Sequence, residues 1–354
     1  MEETKPAKTE KPQELPSAPE KMRCPVCGWR RKNILVHIQW RHPEYVAKLL
    51  SGSRETTSVQ TKLDEQLRAQ PVEAIPEKRV RILKPESWEM FKVKDNIEQY
   101  HPQGSEYQQA KLCIELGYPV LLMGPKGVGK SLLTANLARE LDVPRFVVNC
   151  SASTTGDDLI GSFVDFGTFA PGPVTQACLC AIETGRAMLV LEEVNGMSPG
   201  VALGLHSLLD WNKTLTLPTG QTLRVNDGAQ LIVLATCNPG YAGTMVLNEA
   251  FRSRFVEIHI PEPKKPFIVK IAKKFGMDEE TSIAAANIII ALREAVIRNE
   301  LSFAPSIREL GVLAKLLTKT TFDQAVEIAF LGRYDGSDLD VAKNLVASAV
   351  GRTK

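Results

Sequence analysis

Short runs of apolar residues alternate with stretches of helical spacing between residues 81 and 263 of the chain. The apolar runs cover residues 119–123, 145–149, 187–191, 230–236 and 255–260. Each run has the length of a buried strand, and a stretch of helical period separates it from the next. This alternation predicts an α/β fold in which helices cover both faces of a parallel sheet.

The pattern changes in residues 264–354, where strand-like runs cease. Leu292 and Val296 recur at helical spacing, and Ser306 and Glu309 have the spacing of a capping box at the start of a further helix. This part of the chain is therefore predicted to be a small all-helical lid domain.

The N-terminal part differs from both of these regions. Residues 1–22 hold four prolines among lysines and glutamates, which predicts a disordered tail. A basic Cys/His segment and a polar linker follow. The predicted organisation is a tail at 1–22, a zinc finger at 23–46, a linker at 47–80, an α/β core at 81–263 and a helical lid at 264–354.

Composition narrows the class of protein. The 354 residues are 44% hydrophobic, so they can bury a sizeable core, and the net charge of +2 gives no general attraction to nucleic acid or membrane. No apolar run approaches the length of a membrane span, and the N-terminus is unlike a signal sequence. We expect a cytoplasmic protein with no membrane partner, whose seven cysteines bind metal or are inert thiols.

A phosphate-binding loop follows the first apolar run. The loop and the residue after it are Gly124, Pro125, Lys126, Gly127, Val128, Gly129, Lys130, Ser131 and Leu132, which fit the pattern G-x-x-x-x-G-K-[ST] between a strand and a helix. Backbone N–H groups of such a loop surround phosphates, Lys130 reaches them, and the Ser131 hydroxyl ligates Mg²⁺. A chance Gly-rich turn is the alternative. The context favours a site for a nucleoside triphosphate, with ATP and Mg²⁺ as the expected ligands.

An acidic pair, Glu192 and Glu193, ends the third apolar run. In a protein with a phosphate-binding loop, the first acid of such a pair helps to hold Mg²⁺ and the second polarises the attacking water. The alternative is a solvated strand end that carries two charges. Downstream, Asn238 follows the next apolar run and would face the γ-phosphate. Arg252 and Arg254 could act as arginine fingers in a neighbouring subunit, or could lie on a solvated face.

The order of these motifs resembles the AAA+ ATPases, and within them the MoxR-type clade with its CbbQ/NorQ/GvpN branch and related dynein-like AAA domains. The resemblance is carried by residues 238–243, 247–250 and the pair Arg254–Phe255, which read Asn-Pro-Gly-Tyr-Ala-Gly, Leu-Asn-Glu-Ala and Arg-Phe. It implies a Mg²⁺-dependent ATPase that forms a homo-hexameric ring, acts as a chaperone on a protein client and works with a von Willebrand factor A-domain protein.

The resemblance also implies roles for single residues. Asn238 corresponds to the first sensor, Arg254 to the finger with Arg252 as its partner, and Arg308 to the second sensor. Asn149, at the end of a predicted strand, would restrain the catalytic glutamate. The family has Asp where this chain has Glu192, so the efficiency of hydrolysis is an open question.

Two inserts fit the same branch. Residues 214–225 alternate about a Pro-Thr-Gly turn, which predicts a β-hairpin. Residues 161–172 interrupt the second helix and carry Phe163, Phe166 and Phe169. These aromatic side chains either line a central pore and grip a partner, or pack beneath a loop.

The Cys/His segment has metal-ligand spacing. Cys24, Cys27, His37 and His42 form C-x2-C-x9-H-x4-H, a set suited to tetrahedral Zn²⁺. The segment resembles C2H2 zinc fingers, although the middle spacing is shorter than theirs. A redox Cys-x-x-Cys is the rival, but no βαβ unit flanks it. Nearby arginines and lysines could contact phosphates of nucleic acid or surround a protein-docking surface.

Three functions remain open from the sequence. The first is a ring-forming ATPase that remodels a protein partner. The second is a nucleic-acid-associated motor or regulator, recruited through the zinc finger. The third is a nucleotide-gated scaffold that binds ATP with little turnover, which Glu192 in place of Asp leaves possible.

Overall fold

The computed structural model describes residues 80–225, 228–239 and 247–351, together with the backbone of two short strands near the N-terminus. The chain divides into two compact units, residues 1–78 and 79–354. In the first unit, β1 (Met22–Arg23) pairs antiparallel with β2 (Arg30–Arg31).

The second unit is built on alternating strands and helices. Its strands are β3 (Arg81–Ile82), β4 (Val120–Met123), β5 (Arg145–Asn149), β6 (Gly161–Asp165), β7 (Thr168–Pro171), β8 (Arg186–Glu192), β9 (Thr214–Thr216), β10 (Thr222–Arg224), β11 (Gln230–Cys237) and β12 (Val256–His259). Its α-helices are α1 (Glu106–Glu115), α2 (Lys130–Glu140), α3 (Gly156–Ile160), α4 (Pro173–Thr184), α5 (Pro199–Leu203), α6 (His206–Leu209), α7 (Glu249–Arg252), α8 (Lys265–Lys274), α9 (Glu279–Ile297), α10 (Ile307–Leu317), α11 (Phe322–Val326) and α12 (Gly336–Ala349).

Five strands form the central sheet, in the order β12-β4-β11-β8-β5, and every neighbouring pair is parallel. These five are the apolar runs of the sequence, so the predicted parallel α/β core is confirmed. Strands buried on both faces read as continuous apolar runs rather than as alternating ones, which is why they were visible in the sequence.

Helices cover both faces of this sheet. Alternate residues of one strand enter different clusters: Leu121 packs in one core with helix α4, and Leu122 packs in another with α2. Side chains along a strand point to opposite faces in turn, so both faces carry a core. This double burial fixes the sheet as a rigid base for the residues at its edges.

All described elements after β12 are helices. Ile289 and Leu292 are fully buried in a third apolar cluster, which involves α8 to α12. Helix α10 begins with the capping box that the sequence indicated: the Ser306 side chain accepts from the backbone of the first turn, and Glu309 accepts from the Ser306 backbone N–H at 2.8 Å.

Both inserts contain hairpins. Strands β9 and β10 pair antiparallel, as predicted. Strands β6 and β7 form a second hairpin, to which β3 adds a parallel strand. Phe169 in this hairpin is fully buried, whereas Phe166 is 81% exposed and Phe163 is 38% exposed. Of the two alternatives for these aromatic side chains, packing beneath a loop is therefore the one that Phe169 follows, because its ring belongs to the core.

Among the described residues, no helix combines the length and the apolar character that a membrane span needs.

Candidate nucleotide-binding site

The predicted site residues meet at one edge of the central sheet. Gly124 follows β4, Glu192 ends β8 and Asn238 follows β11. The three strands are parallel neighbours, so their carboxyl ends lie at the same edge. In open α/β sheets, ligands bind in the crevice beyond these ends.

The phosphate-binding loop connects β4 to α2 and has the backbone shape that its glycines allow. Gly127 and Gly129 have φ angles of +79° and +93°, which side-chain-bearing residues adopt only with strain. Gly129 is the N-cap of α2, and Lys130 is its first residue. The unpaired N–H groups at the start of this helix therefore face the loop, as an anion site requires.

Gly127 also touches the C-terminal helices. A Cβ atom added at Gly127 would lie 2.2 Å from the Oγ atom of Ser306, the N-cap of α10. The loop therefore packs directly against the start of α10. Arg308 lies two residues further along that helix, and its side chain is exposed.

Lys130 is 7% exposed, and its Nζ atom donates three hydrogen bonds. Two go to the loop carbonyls of Gly124 and Pro125, both at 2.7 Å, and the third goes to Oδ1 of Asn238 at 2.5 Å. Burial lowers the pKa of Lys130 to about 8, and the nearby Cys237, Glu192, Glu193 and Glu262 act in the opposite direction. The ammonium group is thus held at the centre of the loop.

Asn238 joins this lysine to the second glutamate. Its Oδ1 atom accepts from Lys130, and its Nδ2 atom donates to Oε1 of Glu193 at 3.0 Å. An amide side chain offers an acceptor to the cation and a donor to the carboxylate at once. Asn195, itself buried, donates from Nδ2 to the Asn238 carbonyl at 3.0 Å and fixes the backbone of the bridging residue.

Glu193 leaves the strand in an unusual backbone conformation. Its φ and ψ angles of 56° and 49° are left-handed, a region that non-glycine residues seldom occupy. Its N–H donates to Oγ1 of Thr236 at 2.9 Å, which holds the turn in place. Its side chain is exposed at the sheet edge. Strain of this kind is concentrated at functional sites.

One carboxylate oxygen of Glu192 accepts a hydrogen bond, and the other does not. Oε2 accepts from Oγ1 of Thr236 at 2.8 Å, whereas Oε1 is buried without a hydrogen-bond partner. A buried carboxylate oxygen without a donor is costly unless a cation or water completes its contacts. The Ser131 hydroxyl is exposed in the first turn of α2. Both groups are oxygen ligands of the kind that Mg²⁺ takes, so these residues fit the ion.

Asn149, the residue predicted to restrain Glu193, is not the one that bonds to its side chain. Asn149 pairs with Glu192 in the register of β5 and β8, and it is exposed. The hydrogen bond to the Glu193 side chain comes instead from Asn238. The sequence could not separate the two asparagines, since both follow apolar strands that end at the same edge.

Tyr100, a buried residue before α1, packs against the phosphate-binding loop. The ring of Tyr100 lies 3.2 Å from where a Cβ atom of Gly129 would be, and its backbone N–H donates to Oδ1 of Asn136 on α2 at 3.2 Å. Its hydroxyl donates to Oε1 of Glu106 at 2.8 Å, and burial raises the pKa of Tyr100. This neutral, buried tyrosine holds the start of α2 from outside the motif.

The candidate arginine fingers have carboxylate partners in their own chain. Arg254 pairs with Asp210, with Nε 2.7 Å from Oδ1. Arg252 binds both oxygens of Glu257, at 2.7 and 2.8 Å. Within the described part of the chain, no hydrogen bond joins Arg252, Arg254 or Arg308 to the network around Lys130.

The four predicted zinc ligands, Cys24, Cys27, His37 and His42, lie outside the described residues. The described cysteines are all free. Cys113 is partly exposed, and the other four are buried: Cys150, Cys178, Cys180 and Cys237. Burial raises the pKa of Cys150 and of Cys178 to about 12, so these thiols are unreactive at neutral pH.

Several residues of the site were not predicted from the sequence. Thr236 and Asn195 hold the two glutamates and Asn238, and Arg145 and Thr134 lie beneath them. Thr236 could have been noticed as a polar residue in an apolar strand next to Asn238. Asn195 carries no local signal, because its partner Asn238 is 43 residues away in the chain.

The fold and this site together define a protein with a phosphate-binding loop that is built to bind a nucleoside triphosphate. Residues 119–255 match the family model described as AAA domain, dynein-related subfamily. This part of the chain is thus similar to that family, and the match supports an AAA+ ATPase that binds ATP.

Two relatives and one solved structure are similar to parts of this chain. An uncharacterized protein of Staphylococcus aureus (strain NCTC 8325) is 28% identical over 242 residues, which is 65% of this chain and 89% of that protein. A second, from strain USA300, is 34% identical over 164 residues, covering 44% of this chain and 59% of that protein. A solved "putative ATPase" of Cytophaga hutchinsonii aligns with a TM-score of 0.39 and 19% identity, over 71% of this chain and 90% of that one.

Proposed function

We propose that this protein is a MoxR-type AAA+ ATPase that forms a hexameric ring and uses Mg²⁺-dependent ATP hydrolysis to remodel a protein partner. The observation that carries this proposal is the hydrogen-bonded chain from Lys130 through Asn238 to Glu193. It joins the residue that would contact the phosphates to the residue that would activate water, without any other subunit.

Glu193 is the general base in this proposal. Its exposed carboxylate takes a proton from the attacking water, and Asn238 fixes one oxygen so that the other faces the crevice. Lys130 stabilises negative charge on the transferring phosphoryl group. When phosphate enters the loop, it replaces the carbonyls of Gly124 and Pro125 as the partner of the ammonium group.

Ser131 and Glu192 would hold Mg²⁺. The ion supplies charge neutralisation at the β- and γ-phosphate oxygens when it is bound. Thr236 directs the Glu192 carboxylate through one oxygen and leaves the other free. The side chain of Glu192, although longer than the Asp of the family, is thus held in one orientation. This favours ATP hydrolysis over the alternative of a scaffold that binds ATP with little turnover.

Assembly would complete the site with Arg254 from a neighbouring subunit, Arg252 beside it and Arg308 as the second sensor. The packing of Gly127 on Ser306 supports the last role, because it places the start of α10 at the phosphate-binding loop. The exposed Phe166 offers an apolar contact for a protein client, and a von Willebrand factor A-domain protein is the proposed co-factor.

The Glu193→Gln variant tests the proposal. The amide cannot accept the proton, so we expect hydrolysis to fall by roughly 100-fold or more while ATP stays bound. Turnover is measured as phosphate release with Mg²⁺, and binding with a fluorescent ATP analogue. Hydrolysis at the wild-type rate in Glu193→Gln would refute the assignment of Glu193 as the general base.

Two measurements on the wild-type protein test the rest of the proposal. ATP binding without turnover would favour the scaffold alternative, and a strict monomer in light scattering with ATP would refute the ring.

The zinc site is a separate part of the proposal. Cys24 and Cys27 lie in the sequence between β1 and β2, two strands that pair with each other. We expect one bound zinc per full-length chain, lost in Cys24→Ser and in His37→Ala and retained in the control Cys113→Ser. Zinc retained in both ligand variants would contradict the assignment. A salt-sensitive shift of nucleic acid, lost with the zinc, would favour the nucleic-acid-associated alternative.

A further inference from the structure

Arg145 is a buried cation beneath the nucleotide site that the roles above do not use. It is the first residue of β5, and its side chain is only 16% exposed. Asn149, four residues later, pairs with Glu192 in the sheet register. Residues at even spacing along a strand share a face, so Arg145 and Glu192 lie on the same face of the sheet.

The guanidinium group of Arg145 reaches two elements of the site. Its Nη2 atom donates to Oγ1 of Thr134 at 2.8 Å, and it lies 3.6 Å from Oε1 of Glu192. Thr134 in turn donates to the carbonyl of Ser131 at 2.9 Å. A single side chain therefore connects the helix that starts at the phosphate-binding loop with the strand that ends in the acidic pair.

The two oxygens of Glu192 are held differently. Thr236 donates to Oε2 at 2.8 Å, whereas Oε1 faces the Arg145 cation without a hydrogen bond. The Nε atom of Arg145 also lacks a partner. The ion pair therefore orients the carboxylate electrostatically and leaves lone pairs of Oε1 available to a further ligand.

We propose that Arg145 is a positioning residue that orients the Glu192 carboxylate towards the magnesium site, so that the longer glutamate can serve there. This inference rests on the proposed function. A glutamate has one more rotatable bond than an aspartate, and fixing it needs a contact on each oxygen. Thr236 supplies the first contact, and Arg145 supplies the second.

Burial makes the pair sensitive to the loss of either partner. Burial lowers the pKa of Arg145, and Glu192 opposes that shift, but an arginine remains charged. If the guanidinium is removed, the Glu192 carboxylate is left buried without its counter-charge. The carboxylate would then turn, and the metal would lose its oriented ligand.

The test measures metal-dependent binding rather than turnover. The affinity of the full-length chain for a non-hydrolysable ATP analogue is determined with Mg²⁺ and with a chelator, and the ratio of the two Kd values is the magnesium-dependent gain. We expect Arg145→Gln to reduce this gain about tenfold, as for other residues that orient a metal ligand. Affinity in the chelator should stay within about twofold of wild type.

Companion variants separate positioning from structure. Glu192→Gln should reduce the gain by a similar factor, and adding Arg145→Gln to it should cause no further loss, since both act through one carboxylate. Arg145→Lys keeps the charge and should recover part of the gain. Arg186→Gln is the matched control, because Arg186 opens the neighbouring strand but pairs with the neutral Gln230 at 3.0 Å.

Thermal unfolding of each variant decides between the outcomes. A lower Tm in Arg145→Gln with an unchanged gain would overturn the proposal and leave Arg145 a structural role. If Arg145→Gln lost the same affinity for the ATP analogue with and without Mg²⁺, the proposal would be overturned too, since the substitution would then act on the phosphate-binding loop and not on the magnesium site. If Arg145→Gln does not fold, Arg145→Met replaces it as the variant without the charge: a wild-type gain in Arg145→Met overturns the proposal and a reduced gain supports it. A wild type without any gain would instead refute the magnesium site itself.

Discussion

The residues that face the nucleotide and the arginines that would face a neighbouring subunit are held in different ways. Lys130 and Asn238 are each 7% exposed and bonded to one another. Arg254 has a half-buried side chain and is paired with Asp210, whose own side chain is 37% exposed. One group is locked inside a single chain, whereas the other is stabilised by contacts that water can replace.

This difference matters for control of the reaction. A buried network of hydrogen bonds is costly to rearrange, so the binding half of the site is complete before assembly. Partly exposed ion pairs contribute little free energy, about 0–1 kcal/mol each, so Arg254 can exchange Asp210 for a phosphate at small cost. Under the proposed function, a chain built in this way would bind ATP alone and hydrolyse it well only in a ring.

The largest expected effect is at Lys130. Lys130→Ala removes the central cation of the loop, and we expect no measurable ATP binding in titrations with a fluorescent analogue. Charged hydrogen bonds contribute about 1.5–3 kcal/mol each, so the loss of two costs on the order of 100-fold in affinity or more. The control is Lys92→Ala, a lysine with 27% side-chain exposure that pairs with Asp142. Equal loss of binding in both variants would contradict a specific role.

The next effect is at Arg254. Arg254→Ala should bind ATP normally but hydrolyse it roughly a thousandfold more slowly, the usual loss when a finger is removed. Mixing this variant with Lys130→Ala should restore some phosphate release, since each supplies the half-site that the other lacks. Asp210→Asn keeps the finger and serves as the matched control. If mixtures stay inactive while Arg254→Ala still forms rings, the finger assignment is wrong.

Asn238, which is hydrogen-bonded to both Lys130 and Glu193, allows a test of the buried network at the nucleotide site. Asn238→Asp keeps an acceptor for Lys130 but cannot donate to Glu193, and it places a second negative charge beside that base. We expect ATP affinity close to wild type and hydrolysis roughly 100-fold slower in single-turnover assays. Asn149→Ala is the matched control, because this exposed asparagine ends a neighbouring strand. A greater loss in Asn149→Ala would return the restraint of Glu193 to Asn149.

The smallest expected effect concerns Ser306. Ser306→Ala removes the N-cap of α10 and should lower the free energy of unfolding by about 1 kcal/mol in a denaturant titration. Thr321→Ala removes the N-cap of α11, away from the loop, and should cost a similar amount. Since Ser306 packs on Gly127, only its variant should also change ATP affinity. Identical affinities would show that the contact is structural alone.

Much of the core could be read from the sequence because the signals are local. Five apolar runs predicted the five strands of the parallel sheet, since strands buried on both faces read as nearly continuous apolar runs. The phosphate-binding loop was recognisable because all of its residues are contiguous in the chain. Its glycines stand where the backbone needs positive φ angles, which other residues adopt only with strain. Glu193 and Asn238 could be proposed because each directly follows a buried strand.

Only the tertiary structure decided which of these residues meet. Asn238 lies 108 residues from Lys130 and 45 from Glu193, so neither hydrogen bond leaves a local pattern. The same holds for Arg145 beneath Glu192, for Ser306 against Gly127 and for Asp210 beside Arg254. Periodicity and spacing determine which elements form and which residues end them. The identity of a polar partner depends on strand order and helix packing, which bring distant parts of the chain within hydrogen-bond distance only after the core has formed.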